Sequence, residues 1–227
     1  MTNTLTPQIV EIIGPAGAGK TTLTRALTEG SRTVQLGGFP DVRRISDLPF
    51  FLWHGLQISP ALFICPRGIS RKLTRREFAW LSILHGWPSI LQKQLKKNRT
   101  ILLDQGPVYL LAETNRFGPE YLRRKKAENF WHDLYSRWSN TLDMVIWLDA
   151  ADADLVKRIR SRDKGHVLKN ETVESAFEFL SSYRKAYEQT ISILMAGRPN
   201  LKILRFDTSR TSLGEITDRL LPELKST

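Results

Sequence analysis

The sequence has little of what extracellular and membrane-spanning proteins need. Cys65 is its single cysteine, so an internal disulfide is impossible and nothing indicates an oxidising compartment. No stretch approaches the roughly 20 consecutive apolar residues that cross a bilayer. The first residues also lack the basic segment and apolar run of a secretory signal. We therefore expect a cytoplasmic protein with no membrane attachment.

Acidic residues are scarce relative to basic ones. The 227 residues include 34 Lys and Arg but 23 Asp and Glu, which gives a formal net charge of +11. This surplus favours anionic partners such as nucleotides, nucleic acids or acidic metabolites, although a solvated basic surface has the same composition. Hydrophobic residues make up 41% of the chain, which is enough for a buried core.

Short apolar runs alternate with helical segments along the chain. The predicted strands are 8–13, 33–36, 100–104, 143–149 and 201–207, and the predicted helices are 20–28, 75–97 with an interruption near Gly86–Pro88, 107–115, 119–140, 152–162, 171–196 and 212–224. The strands are apolar throughout, which is typical of a parallel sheet with helices on both faces. We predict one three-layer α/β domain over 1–227. Residues 39–99 form an insertion, irregular up to about residue 74.

The clearest motif lies between the first strand and the first helix. Residues 14–21 read Gly-Pro-Ala-Gly-Ala-Gly-Lys-Thr and match G-x-x-x-x-G-K-[ST]. Glycines let backbone N–H groups approach phosphates, and the following helix adds its positive end. Lys20, which we expect to be exposed, supplies charge to the β- and γ-phosphates, and Thr21 is a magnesium ligand. The predicted nucleotide-binding residues are Gly14, Ala16, Gly17, Ala18, Gly19, Lys20, Thr21 and Thr22.

Motifs for guanine recognition and for hydrolysis are missing. The N-K-x-D sequence of GTPases does not occur, which favours ATP. Asp104 ends a predicted strand and precedes Gln105, whereas hydrolytic ATPases commonly carry a glutamate base there; an amide cannot accept the proton of a water. We predict that Asp104 holds magnesium, directly or through water, or accepts the proton of the acceptor. Aspartate is also a favoured cap for a helix starting at Pro107.

The additional Gly17 gives G-x-x-G-x-G-K-T, a pattern that resembles the thymidylate kinase and deoxynucleoside kinase group. The resemblance continues in residues 155–164 (LVKRIRSRDK), which are similar to the R-I-x-x-R-x-R run that opens the lid of those kinases, and in 179–187 and 205–209. It implies a P-loop NTPase fold with a lid over 158–170. It also implies that Arg158 packs near the adenine and that Arg162 and Lys164 reach the transferring phosphoryl group. Asp207 would belong to the adenine-side loop.

The spacing of the two arginines agrees with this role. Arg158 and Arg162 are four residues apart and share one face of a helix. Phosphoryl transfer needs positioning and cations around the transferred group more than covalent help, and a loop that closes would exclude water. A solvated basic helix face would have the same spacing. We expect Lys20, Asp104 and Arg162 to be the catalytic residues.

The acceptor is left open by the sequence. Gln105 stands where the resembled kinases have an arginine, and the segment after the second strand offers Asp41, an alternative base, in place of a glutamate. Basic and aromatic residues interleave over 50–80: Phe50, Phe51, Trp53, Phe63, Arg67, Arg71, Lys72, Arg75, Arg76, Phe78 and Trp80. They could clamp a planar anion, stack nucleic-acid bases, or be core aromatics beneath a solvated surface. A second basic cluster (Arg116, Arg123, Arg124, Lys125 and Lys126) is more typical of a solvated helix face.

These observations predict an enzyme that moves the γ-phosphoryl group of MgATP to an anionic or polar small molecule, such as a nucleoside or nucleotide, held by residues 39–99 and Arg116. The alternative is an ATP-dependent nucleic-acid-associated protein, whose positive charge would bind a phosphate backbone, or a regulatory P-loop ATPase. The sequence indicates no oligomeric state.

Overall fold

A computed structural model describes residues 7–62, 71–95, 100–162 and 165–225. Cys65, Phe63, Arg67 and Lys164 lie outside these residues. Of the helices in the described ranges, none combines the length and apolar character needed to cross a membrane.

The centre of the molecule is a five-stranded parallel sheet with the order β2-β3-β1-β4-β5. Its strands are β1 (Ile9–Ile13), β2 (Val34–Leu36), β3 (Thr100–Asp104), β4 (Met144–Asp149) and β5 (Lys202–Asp207). In register, Ile12 of β1 lies beside Asp104, and Ile13 lies beside Trp147 of β4. The carboxyl ends of the central strands therefore meet at one edge, where the loop after β1 also begins. The predicted parallel sheet is confirmed.

Helices cover both faces of this sheet. They are α1 (Lys20–Glu29), α2 (Leu48–Leu62), α3 (Arg75–Leu95), α4 (Pro107–Arg116), α5 (Glu128–Ser139), α6 (Asp152–Arg160), α7 (Val173–Gly197) and α8 (Leu213–Lys225). Side chains alternate between the two faces of each strand. Ile9 and Val145 therefore join a core with α2 to α5 and most of α7, while Val10 and Ile146 join one with α1, α6 and α8. The three-layer architecture is as predicted.

The predicted interruption of α3 near Gly86–Pro88 was wrong, because the helix is continuous. Pro88 has no N–H to donate to the carbonyl of Leu84 four residues earlier. That carbonyl instead accepts a hydrogen bond from Trp138 Nε1 at 2.9 Å. Gly86 is required by packing, since a Cβ there would lie 2.3 Å from the ring of His54 on α2. Tertiary contacts thus compensate for both helix-breaking residues.

Two other stretches differ from the sequence prediction. Residues 48–62 form α2 and are not irregular; the fifteen-residue segment packs along α3, and Gly55 allows the approach because a Cβ there would lie 2.9 Å from Phe78. The predicted helix 119–140 is divided into 3-10 turns over 120–127 and the helix α5. A hydrogen bond of 2.8 Å from the Arg123 guanidinium to the carbonyl oxygen of Gly118 stabilises these turns.

Candidate functional site

A tight loop joins β1 to α1 at the carboxyl edge of the sheet. Its glycines Gly14, Gly17 and Gly19 have φ angles of 144°, 89° and 92°, which other residues rarely adopt. A Cβ on Gly14 would lie 2.1 Å from the carbonyl oxygen of Leu148, and one on Gly17 would lie 2.9 Å from that of Leu155. Only glycine fits at these two positions, because the loop packs directly against β4 and α6.

The first turn of α1 is suited to an anion. Its N-cap is Gly19, so no side chain caps the helix, and the first turn contains no acidic residue. The N–H groups at a helix start lack intrahelical partners and carry partial positive charge. Phosphate oxygens are the natural partners of such groups.

The loop and α1 form one wall of a cleft of about 540 Å³. The predicted site residues that line it are Ala16, Gly17, Gly19, Lys20, Thr21, Thr22, Asp104 and Arg162. A second cavity of about 430 Å³ shares part of this wall and is lined by Ala18, Arg158, Leu213 and Ile216. Gly14 is buried beneath the loop. A larger cavity of about 660 Å³ lies between α5 and the end of α7 and is lined by none of these residues.

Lys20 is half-buried, so the expectation that it is exposed was wrong. Its Nζ donates to the carbonyl oxygens of Gly14 at 2.8 Å and Pro15 at 2.9 Å. Burial lowers the pKa of Lys20 to about 8; the nearby Asp104 opposes this change and Arg162 adds to it. The ammonium group is therefore held inside the loop by backbone carbonyls, and both other predicted catalytic residues lie within its electrostatic reach.

Thr21 and Asp104 meet across the cleft. The Thr21 hydroxyl donates to Asp104 Oδ2 at 3.1 Å. A hydroxyl and a carboxylate are hard oxygen ligands, and Mg²⁺ is bound in proteins by one or two such groups together with phosphate oxygens. The pair therefore fits a magnesium ion at the phosphates of a nucleotide. Asp41, the alternative base, instead takes part in a local turn, where its carboxylate accepts from Arg43 N at 2.9 Å.

The turn after Asp104 rests on a buried carboxylate that the sequence prediction missed. Glu11, in the middle of β1, is completely buried and accepts hydrogen bonds from the backbone N–H groups of Val108 at 2.8 Å and Tyr109 at 3.2 Å. The intervening Gln105 has a φ of 60°, an uncommon conformation for a non-glycine residue. Glu11 thus caps α4 from inside the core, and it does so directly behind the turn that carries Asp104. No local sequence signal identifies such a cap, because the two segments are about 95 residues apart.

Glu11 should make stability depend on pH. Burial is the largest influence and raises its pKa from 4.5 to about 8, although the N–H groups at the start of α4 act in the opposite direction. Between these values the native state holds a proton that the unfolded state has released, so the free energy of unfolding should fall as pH rises from about 4.5 to about 8. Glu11→Gln should flatten this dependence when chemical denaturation is measured across that window. The exposed Glu128→Gln should leave it unchanged; a Glu11→Gln profile that parallels the wild type would contradict the prediction.

Arg158 and Arg162 line adjoining cavities and differ in how they are held. Arg158 donates to Thr208 Oγ1 at 2.8 Å and to the Thr208 carbonyl at 3.0 Å, so it ties α6 to the loop after β5. Arg162 is exposed and lines both cavities. Burial lowers the pKa of His166, and the nearby Arg162 and Lys20 lower it further. Arg158 is therefore fixed beside the second cavity, whereas Arg162 lines both that cavity and the cleft at the phosphate loop.

Asp207 lies at the end of β5 and lines a separate depression beside Trp147. Its carboxylate accepts from Ser209 N at 2.9 Å and from the Ser209 hydroxyl. Its own contacts are therefore with the loop that carries Thr208, and the structure does not bring its side chain into the cleft.

The basic and aromatic stretch is largely committed to internal contacts. Arg71 forms a bidentate pair with Glu77 at 2.6 and 2.9 Å, and the Arg76 guanidinium lies 4.2 Å above the ring of Trp80. Phe50, Phe51, Phe78 and Trp80 pack against the core, while Trp53 is 60% exposed. Arg116 lines a small cavity beside Tyr135 and not the cleft.

A row of aromatic rings leads from the cleft to the end of α4. His166 meets Phe179 edge-on, Phe179 contacts Tyr183 at 4.7 Å, and Tyr183 stacks on Phe117 at 4.8 Å between ring centroids. The Tyr183 hydroxyl donates to Glu113. These residues are distant in sequence, and only the packing of α7 against α4 brings them into one wall.

The fold agrees with that of solved kinase structures. A thymidylate kinase from Candida albicans is 17% identical, covers 94% of this chain and 89% of its own, and superposes with a TM-score of 0.53. A deoxyadenosine kinase from M. mycoides with bound dATP is also 17% identical, covers 96% and 100%, and has a TM-score of 0.50. The chain has the P-loop NTPase fold of these kinases. The predicted resemblance and fold class are thus confirmed. No protein-family model matches the sequence, and the comparison with curated proteins gives no match.

Proposed function

We propose that the protein transfers the γ-phosphoryl group of MgATP to a small-molecule acceptor. The observation that carries this proposal is that a phosphate loop, a pair of oxygen ligands and an exposed arginine line one cleft. Lys20, the Thr21–Asp104 pair and Arg162 all line the same 540 Å³ space. Phosphoryl transfer depends mainly on positioning and on cations around the transferred group, which this arrangement supplies.

The two adjoining cavities suit the two ends of ATP. The triphosphate would lie on the loop, with its negative charge against the start of α1. The adenine would enter the 430 Å³ cavity between Arg158 and the apolar side chains of Leu213 and Ile216. No carboxylate lines this second cavity among the described residues, so the acidic partner that GTPases offer to the guanine N–H groups is missing there. This supports ATP over GTP as the donor.

In the proposed reaction, an oxygen of the acceptor attacks the γ-phosphorus while the bond to the β–γ bridging oxygen breaks. ADP leaves, and the acceptor proton passes to Asp104 or to solvent. Lys20 neutralises the β- and γ-phosphates, and Arg162 stabilises the charge on the transferring group. Thr21 and Asp104 would hold Mg²⁺, which would supply positive charge at the phosphates.

The acceptor would bind on the side of the cleft away from α8. Gln105 and His166 line that part of the cleft, and the ring row from His166 to Phe117 continues it. Residues 39–99 form the acceptor-side part of a single domain in this proposal, and residues 158–170 form a lid. A nucleoside or nucleotide is the acceptor class that the structurally similar kinases suggest.

Release of ADP in the presence of candidate acceptors tests the proposal. Nucleosides, nucleotides, sugars and aminoglycosides should be compared, and at least one class should accelerate ADP release far above background hydrolysis. ATP should displace a fluorescent ATP analogue at lower concentration than GTP does. If no acceptor class raises the rate and both nucleotides compete equally, the proposed phosphotransferase is wrong.

The nucleic-acid alternative makes a different prediction. A protein that uses its +11 charge on a phosphate backbone should bind random oligonucleotides with an affinity that falls steeply as salt increases. The pairing of Arg71 with Glu77 removes part of the charge that such binding would use.

A further inference from the structure

The cavity of about 660 Å³ between α5 and the end of α7 has no part in the proposed reaction, because none of the residues proposed to bind ATP or to act in catalysis lines it. Ser139 and Gly197 are among its lining residues, and they end α5 and α7 just before β4 and β5 begin. The phosphate loop, in contrast, follows the carboxyl end of β1. The cavity therefore lies toward the amino-terminal edge of the parallel sheet, away from the cleft. Its volume is within the range of roughly 300–1,000 Å³ that small-molecule sites occupy.

Four buried side chains line the inner part of this cavity: Leu122, Trp131, Tyr135 and Ser139. Their polar atoms already have partners within the protein. The Trp131 indole N–H donates to the Leu122 carbonyl, the Ser139 hydroxyl donates to the carbonyl of Leu194 at 3.1 Å, and the Tyr135 hydroxyl is hydrogen-bonded to Thr190. The surfaces left for a ligand are therefore ring faces and alkyl groups, which suit an apolar or aromatic group.

Arg123 adds a fixed cation to this lining. Its Nη1 donates to the carbonyl oxygens of Asn115, Arg116 and Gly118 at 3.4, 3.3 and 2.8 Å, so the guanidinium is held against the end of α4. Within the described ranges, no hydrogen bond uses its Nη2 or Nε. Those donors remain for a ligand, and a guanidinium binds a carboxylate, sulfonate or phosphate through two parallel N–H groups.

The charge around the cavity also favours an anion. Residues 123–126 are four consecutive basic residues, and all of them are exposed. Two of them, Arg123 and Arg124, line the cavity, and Glu128 is the one carboxylate among the described residues that line it. Arg124 is itself paired with Glu120 at 3.3 Å, which leaves Arg123 as the better contact for an acidic group.

We propose that this cavity binds a planar aromatic anion, with its rings against Trp131 and Tyr135 and its acidic group on Arg123. Aromatic rings pack edge-to-face or offset on one another, and the acidic group would gain a charge-assisted hydrogen bond. A nucleoside triphosphate is a poorer match. The first turn of α5 already carries the acidic Glu128, so this helix start offers no site for several phosphates. The proposal does not depend on the proposed phosphoryl transfer.

A pair of fluorescent probes tests the two parts of the proposal. The protein should bind 1-anilinonaphthalene-8-sulfonate, and saturating MgATP should not change the affinity because the cavity is separate from the cleft. N-phenyl-1-naphthylamine has the same rings without the sulfonate, and it should bind at least about tenfold more weakly because the charge-assisted contact is lost. Displacement of the sulfonate probe by MgATP, or equal affinity for the two probes, would overturn the proposal.

Filling the cavity locates the binding. Ala196 lines it near the end of α7, and Ala196→Trp should weaken binding of the sulfonate probe by about tenfold or more, because the indole would occupy the space that the probe needs. The neighbouring Met195 is 38% exposed and does not line the cavity, so Met195→Trp is the matched control and should bind the probe normally. Wild-type affinity in Ala196→Trp would overturn the proposal.

A substitution of the cation tests the contact with the acidic group. Arg123→Gln should bind the two probes with similar affinity, whereas Lys125→Gln, which removes an exposed charge that does not line the cavity, should keep the preference for the sulfonate. A preference that survives Arg123→Gln would contradict the proposed contact. Sedimentation equilibrium should give the same mass for Ala196→Trp and the wild type. A lower mass for the variant would overturn the proposal, because a second copy would then fill the cavity.

Discussion

Lys20→Ala is expected to reduce ATP affinity by about 10²-fold or more, since hydrogen bonds to charged groups contribute roughly 1.5–3 kcal/mol each and Lys20 would contact two phosphates. In the structure its Nζ is held by the carbonyls of Gly14 and Pro15, at the floor of the cleft. A phosphate entering the loop would meet an ammonium already in position. Calorimetric titration with MgATP measures the loss directly.

The pH dependence of the wild type provides a second readout. Burial lowers the pKa of Lys20 to about 8, so the free protein loses this charge as pH rises through about 8. Wild-type ATP affinity should therefore decline above pH 8, and this decline should be absent from the alanine variant. Lys157→Ala, which removes an exposed charge from α6, is the matched control and should bind ATP normally. Equal ATP affinity in Lys20→Ala and the wild type would refute the phosphate-loop assignment.

Arg162→Ala is expected to lower the turnover number by about 10³-fold while changing ATP affinity little. Arginines supplied to phosphoryl transfer contribute on this scale. Arg162 is exposed just beyond the end of α6 and lines both cavities, and we expect it to approach the transferring group as the proposed lid closes. Its contact would be strongest in the transition state. Removing it should therefore lower the turnover number and leave the binding of ATP almost unchanged.

Arg158→Ala should show the opposite pattern. Its guanidinium lines the 430 Å³ cavity in which we propose that adenine binds, and it would stack on the base with a contact of about 0.5–2 kcal/mol. It also fixes the loop after β5 through Thr208, so its removal should weaken ATP binding more than turnover. Arg160→Ala is the control on the same helix, because Arg160 donates to the Glu171 carbonyl. If Arg158→Ala and Arg162→Ala both keep the wild-type turnover, the basic run is a solvated helix face.

The sequence predicted the strands of the sheet more accurately than it predicted the helices α2 and α3. The three central strands are buried and are continuous apolar runs, and the partly exposed edge strands β2 and β5 were recognisable as well. Helix α2 was not predicted, and it contains Gly55 and Pro60, which usually disfavour helices. The interruption predicted in α3 at Gly86–Pro88 was absent as well. Helix-breaking residues are tolerated where another element supplies the missing contact, as Trp138 does for Leu84. Such compensation cannot be detected within a local window of sequence.

The phosphate loop was determined by the sequence itself, because its chemistry depends on consecutive residues: three glycines with positive φ, a lysine and a threonine at a helix start. The placement of Asp104 opposite Thr21 followed almost as directly, since parallel strands end at the same edge of a sheet. Tertiary structure alone decided that Glu11 caps α4, that Arg158 is held by Thr208 and that Asp207 remains outside the cleft. It also decided that Leu48, Leu52 and Leu56 of α2 face outward. The contacts of Glu11 and Arg158 join residues about 50 or more positions apart, and the outward face of α2 depends on how that helix is rotated against α3. Local sequence periodicity encodes neither long-range contacts nor the rotation of a helix.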